Sequence, residues 1–161
     1  MADYAGERGV SIGVEALNRY ETSVVNTVSQ ALDLIDGMPP NVGLMIDTYH
    51  MNIEESDPYA TVGLAGPHIK HVQVSGTDRG APGGDHFDWS RFFGALRATG
   101  YGGAVCIESF TAQNEAIATA ASIWRPLAPS QDRLAVDGLS HLRAVSRCID
   151  NHHLTCPRPC T

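Results

Sequence analysis

Apolar positions along this chain fall into short unbroken runs separated by longer amphipathic stretches. Four runs, at residues 10–17 (VSIGVEAL), 41–50 (NVGLMIDTYH), 68–74 (HIKHVQV) and 103–110 (GAVCIESF), are rich in Val and Ile. Apolar runs without strict alternation are the pattern of parallel strands covered on both faces. Between them the period lengthens to that of a helix. Residues 23–35 put Val24, Val25, Val28, Ala31, Leu32 and Ile35 on one helical face and stop at Asp36-Gly37-Met38-Pro39-Pro40. Residues 57–65 predict a short helix closed by Gly66-Pro67. Residues 89–99 predict an amphipathic helix with Asp88 as its N-cap and Gly100 as its stop. Residues 134–148 predict a last helix, residues 111–130 are irregular, and residues 2–9 read as the tail of a helix. The alternation predicts an α/β fold of four parallel βα units.

Each strand-like run carries, near its end, a side chain able to bind a metal: Glu15, Asp47, Gln73 and Glu108 in turn. An unpaired buried charge is costly, so a carboxylate there needs a reason. Its repetition at one end of successive strands points to a site at the carboxyl end of a β/α barrel. Four units cannot close an eight-stranded barrel, which typically takes about 250 residues. The expectation is therefore half a barrel, whose open edges invite pairing with a second copy and whose activity alone is poor. A complete small open α/β domain is the competing reading. It leaves the polar strand ends unexplained, because they converge only if the sheet curls. On this reading residues 1–148 form the partial barrel and residues 149–161 a disordered tail.

Composition narrows the function classes. The 161 residues are 43% hydrophobic and 18% charged, enough for one sizeable core. No apolar run reaches membrane-spanning length and no signal-peptide pattern opens the chain, so no membrane partner and a cytoplasmic location are the default expectations. The net charge of -7 argues against a nucleic-acid partner. Of the four cysteines, Cys106 lies in a strand-like run while Cys148, Cys156 and Cys160 crowd the tail, and no disulfide framework is needed.

The stretches VEALNRYET, IDTYHMNIEE, RGAPGGDHFDW, YGGAVCIESF and the pair Trp124-Arg125 together resemble the sugar isomerase and epimerase family with a xylose isomerase-like TIM barrel. The ketose 3-epimerases are the nearest likeness. The resemblance spans residues 2–146 and implies the C-terminal half of that barrel. It further implies one divalent ion, manganese first with magnesium or cobalt as substitutes, held by Glu15, Asp47, Gln73 and Glu108. The third position departs from the epimerase pattern: His71-Val72-Gln73 stands where the family reads His-x-His. A neutral amide oxygen still suits a hard cation, and the related hydroxypyruvate isomerases resemble this chain in carrying Gln there. The likeness also implies a small-molecule sugar substrate bound by Glu21, His50 and Arg79.

Epimerising a ketose at C3 removes a proton beside a carbonyl and returns one to the opposite face. An enediolate forms between the two events, and a divalent ion stabilises it. Two carboxylates are needed, one as base and one as acid, and the resemblance implies Glu15 and Glu108. The same parts would move a proton between C1 and C2 in an aldose–ketose isomerase. An inactive truncated barrel, a hydroxypyruvate isomerase and an inosose dehydratase are the alternatives on this scaffold. A metal-dependent endonuclease relative needs more histidines and a basic surface. In the tail, Cys148, His152, His153, Cys156 and Cys160 match no familiar zinc spacing. The Gly-Ala-Pro-Gly-Gly run at 80–84 lacks the Lys-Ser/Thr of a phosphate loop and reads as a turn.

Overall fold

The computed structural model describes residues 1–152. Two compact units emerge: residues 1–74 with 95–106, and residues 75–94 with 107 onward. Four strands form one sheet in sequence order, β1 (Ile12–Glu15), β2 (Val42–Asp47), β3 (Ile69–Val74) and β4 (Val105–Ile107). The β1–β2 and β2–β3 pairs are parallel. Helices alternate with them, as the apolar pattern predicts: α1 (Ala2–Gly6), α2 (Val28–Ile35), α3 (Thr48–Glu54), α4 (Pro58–Ala65), α5 (Trp89–Ala98), α6 (Glu115–Ala120) and α7 (Gln131–His152). Among the described residues no helix is long and apolar enough to cross a membrane.

In the first unit the core is laid down by one face of each element. Leu44, Ile46, Val72 and Val74 are buried, and α2 adds Val28, Ala31 and Ile35 at helical spacing. Each Val, Leu or Ile side chain so removed from water contributes roughly 1.5–3 kcal/mol, and Ala31 less. The alternate positions Met45, His71 and Gln73 are only half-buried and form the other face. Lys70 is the extra residue of a bulge, since Leu44 pairs with Ile69 while Met45 pairs with His71. Beside it Gly43 has no substitute: a Cβ there would collide with the His68 carbonyl.

Helix α2 begins at Val28 rather than at residue 23, and the reason is local. Thr27 and Gln30 form a capping box, Thr27 Oγ1 accepting from the Gln30 amide and Gln30 Oε1 from the Thr27 amide at 3.1 Å. Upstream, Asn26 Nδ2 donates to the carbonyls of Leu17 (2.7 Å) and Thr22 (3.0 Å), which holds residues 17–26 as an ordered loop. Val24 lies in that loop and is exposed. Two helices lie where the sequence pattern predicts none: α3, which follows β2 without a break, and α6, capped by Asn114. Helix α7 runs past Cys148 to His152, so the expected tail begins inside a helix. The remaining tail cysteines and His153 lie outside the described residues.

In the second unit the core is aromatic. Phe87, Trp89 and Phe92 pack with ring centroids 4.9–6.0 Å apart, and His141 of α7 sits edge-on to Trp89 at 6.2 Å. Gly83, at φ +102, lies against the His141 ring, where a Cβ would collide. Asp88 caps α5 as predicted, accepting from the Arg91 amide at 2.9 Å.

Candidate metal centre

Glu15 is the last residue of β1, Asp47 the last of β2 and Gln73 the last but one of β3. Because these strands run parallel, the three side chains arise at the same end of the sheet. Asp47 and Gln73 are direct partners across the β2–β3 ladder, where neighbouring strands lie about 4.8 Å apart. Asp47 is also the N-cap of α3, its Oδ1 accepting from the Tyr49 amide at 2.8 Å. The cap fixes the carboxylate at the strand end and puts His50, one turn on, beside it.

The result is a tight cluster. Ligand atoms of Glu15, Asp47 and His50 all lie within 4.8 Å of one another. His50 Nε2 stands 3.6 Å from Glu15 Oε1 and 4.0 Å from Asp47 Oδ2. The Asp47 and His50 side chains are buried, whereas that of Glu15 keeps 22% of its surface, so the cluster has one accessible wall. Gln73 adds an oxygen donor at the level of Asp47: its Oε1 is buried and has no hydrogen-bond partner. Two carboxylates and a buried amide oxygen suit a hard divalent cation. The donor set fits.

The sequence reading takes His50 as a substrate contact. The structure brings it into the carboxylate cluster itself. On its far side, His50 Nδ1 receives the backbone N–H of Asn18 at 3.1 Å and lies 2.9 Å from Asn18 Nδ2. Asn18, which is 1% exposed, also donates from Nδ2 to Glu21 Oε1 at 2.7 Å and accepts the Tyr20 amide on Oδ1 at 2.9 Å. The loop that carries Asn18 and Glu21 is held by Glu54 of α3, which accepts from the Arg19 amide (2.6 Å), Nε (2.9 Å) and Nη2 (3.0 Å). Those hydrogen bonds from Arg19 hold the Glu54 carboxyl below its usual range and raise the Arg19 guanidinium in turn. Glu55 braces the other direction, taking the Val28 amide at 2.8 Å and the Thr61 hydroxyl at 3.2 Å. Asn18, Glu54 and Glu55 were missed as functional supports, although all three stand in motif stretches legible in the sequence.

In the second unit Arg79 and Glu108 form a pair. Arg79 Nη1 lies 3.2 Å from Glu108 Oε2 and donates to the Glu108 carbonyl at 3.3 Å. The guanidinium also lies over the Phe110 ring at 5.1 Å, and the Phe110 amide donates to the Arg79 carbonyl at 3.1 Å. Arg79 is buried and adopts φ +68, a left-handed conformation that costs a non-glycine residue about 1–2 kcal/mol. The turn is tied down on both sides, Gly80 accepting from the Gly76 amide at 2.8 Å and from Ser109 Oγ at 2.7 Å. Arg79 thus grips Glu108, while 32% of the Glu108 side chain stays accessible.

Comparison with known proteins places the fold. The family model described as xylose isomerase-like TIM barrel matches residues 1–145. A probable ketose 3-epimerase of Synechocystis sp. is 43% identical over 135 residues, covering 83% of this chain and 47% of that protein. An L-ribulose 3-epimerase of Methylomonas sp. is 36% identical over 146 residues, covering 89% of this chain and 51% of that protein. A solved L-ribulose 3-epimerase structure superposes with a TM-score of 0.88 at 30% identity, covering 98% of this chain and 55% of that one. The chain spans about half the length of the curated relatives it matches.

Proposed function

The chain belongs to the xylose isomerase-like TIM barrel family, and from that premise we propose that it carries the metal- and proton-handling part of a ketose 3-epimerase site. The observation that carries the reading is the convergence of Glu15 and Asp47, at the ends of adjacent strands, with His50 of α3. Glu15, Asp47, Gln73 and Glu108 would hold one divalent ion, manganese by family likeness, with magnesium or cobalt as substitutes. Such an ion supplies Lewis-acid stabilisation of negative charge on the oxygens of the substrate.

The chain's own residues supply the rest. Glu15 and Glu108 act as the base and acid that take the proton from C3 of the ketose and return one to the opposite face. Both carboxylates keep an accessible edge while a partner fixes them, His50 for Glu15 and Arg79 for Glu108. Anchoring with access is what proton transfer needs, because a freely rotating carboxylate is seldom aligned with the C–H bond. Glu21 and Arg79 would orient the sugar hydroxyls, with Glu21 exposed in its loop, while His50, the third substrate contact that the family likeness implies, is turned to the carboxylates. The substrate class is a small ketose, as the L-ribulose and ketose epimerase relatives suggest.

Calorimetric titration of the 161-residue chain with Mn²⁺ tests the reading. One site per chain is expected, with affinity lost in Asp47→Asn and Glu15→Gln. A chain that takes up no Mn²⁺, or binds it equally well in both variants, is not this kind of enzyme.

A further inference from the structure

We propose that Asn18 is a positioning residue that sets the tautomer of His50, turning an Nε2–H toward the carboxylate cluster and keeping the ring out of the ligand set. The proposal rests on the reading of Glu15 and Asp47 as cation ligands, and it begins with the orientation of the Asn18 amide. The Tyr20 N–H can only donate, so the Asn18 atom it meets at 2.9 Å is the oxygen. The other amide atom is then the nitrogen, and it donates to the Glu21 carboxylate at 2.7 Å. The two partners agree on one orientation of the side chain.

That orientation has a consequence for His50. Its Nδ1 meets two groups of Asn18, the backbone N–H at 3.1 Å and the side-chain Nδ2 at 2.9 Å. Both are donors, so Nδ1 must offer a lone pair and carries no proton. In the neutral ring the proton therefore sits on Nε2, the nitrogen that faces Glu15 Oε1 at 3.6 Å and Asp47 Oδ2 at 4.0 Å. A histidine that ligates a cation does the reverse, turning a lone pair to the ion and donating from its other nitrogen. His50 has the geometry of a ligand and the protonation of a donor. By the same two hydrogen-bond systems Asn18 joins His50 to Glu21, so a buried amide sets two polar groups of the site at once.

The experiment is a long-range ¹H–¹⁵N correlation on the histidine rings of the ¹⁵N-labelled 161-residue chain without metal, the His50 signals being assigned by their loss in His50→Gln. A pyridine-type Nδ1 and a pyrrole-type Nε2–H are expected. The opposite tautomer, or an averaged ring, overturns the proposal with no variant needed. In Asn18→Asp an acceptor replaces the side-chain donor facing Nδ1 while the backbone N–H remains, and the Nδ1 signal should move toward the protonated type; an unchanged ring removes the Asn18 side chain as its cause. Should that variant fail to fold, Asn18→Ala removes only the Nδ2 donor and keeps the backbone N–H on Nδ1, so a partial shift is expected and an unshifted ring overturns the part given to the side chain. Failure of the metal reading is separate, because it appears as absent Mn²⁺ binding whatever tautomer His50 adopts.

Discussion

Asp47 and Gln73 face each other across the β2–β3 ladder, one a buried carboxylate that caps a helix, the other an amide whose buried Oε1 has no hydrogen-bond partner. A buried acceptor left unpaired costs about 1–3 kcal/mol, and a fold keeps such a group when it serves something else. Here the proposed service is to a cation.

Gln73→Met separates the two roles. Methionine matches the glutamine in length and adapts to irregular space, and it removes the orphan oxygen. Thermal unfolding of the metal-free chain should show Gln73→Met as stable as the parent or more so, by up to about 1 kcal/mol. Mn²⁺ affinity should fall, on the order of tenfold or more for a lost ligand by comparison with the effect of losing even an outer-shell partner. Destabilisation with unchanged affinity would mean that Gln73 is a packing residue.

Arg79 carries a second prediction, about its backbone. At φ +68 an alanine suffers the left-handed penalty of about 1–2 kcal/mol, while glycine escapes it at an unfolded-state entropy cost of about 0.5–1 kcal/mol. Both substitutions remove the same grip on Glu108 and the same stacking on Phe110. Urea denaturation should therefore find Arg79→Gly more stable than Arg79→Ala by up to about 1.5 kcal/mol. If alanine is the more stable of the two, the turn is not held in that conformation in solution.

Glu54 predicts a pH dependence. Its folded carboxyl is lowered chiefly by the side-chain hydrogen bonds of Arg19, so the ionised form favours the folded state. The contribution is fully present above the ordinary carboxylate value of 4.5 and disappears as pH falls through the lower folded value. The stability gap between the parent and Glu54→Gln should accordingly narrow as pH falls below 4.5, read as the difference in urea midpoints. A gap independent of pH would leave Arg19–Glu54 as packing without charge.

Much of this was legible in the sequence because burial writes itself into residue type. The Val- and Ile-rich runs mark all four strands, and Glu15, Asp47 and Gln73 stand at the strand ends where the sequence analysis put them. Boundaries were harder. The Val24-Val25 pair extends the helical period of residues 23–35, but the capping box at Thr27 and Gln30 decides where the helix begins. Helix α3 is hidden for a related reason: Asp47 is both strand end and N-cap, so no turn residue separates two elements. Asn18 was invisible as a positioning group because its work lies in partners 2, 3 and 32 residues away, which no periodicity encodes. The pairing of Arg79 with Glu108 joins residues 29 apart and is hidden in the same way.

Glu108 is the residue on which the proposed chemistry turns. Its carboxylate is gripped by Arg79 yet about a third accessible, the condition for a group that must meet a substrate without swinging. Glu108→Gln preserves shape and much of the hydrogen bonding to Arg79, but an amide neither accepts a proton from carbon nor returns one. With Mn²⁺ and L-ribulose in D₂O, a complete barrel that contains this half should incorporate deuterium at C3, the position on which a 3-epimerase acts. In Glu108→Gln the exchange rate should fall by about 10²–10⁴, the range expected on removing a general acid–base group. Mn²⁺ binding, followed by calorimetry in the same samples, should persist in weakened form because Gln still offers an oxygen. Binding that persists with undiminished exchange would remove Glu108 from the proton path and leave it a ligand alone. Exchange lost together with all binding would show that the carboxylate is required to hold the ion, and Arg79→Lys then separates the two effects. That variant leaves Glu108 itself intact and replaces a planar fork by a point charge. Selective loss of exchange in Arg79→Lys, at unchanged Mn²⁺ affinity, is the outcome expected if orientation of the Glu108 carboxylate is what the grip supplies.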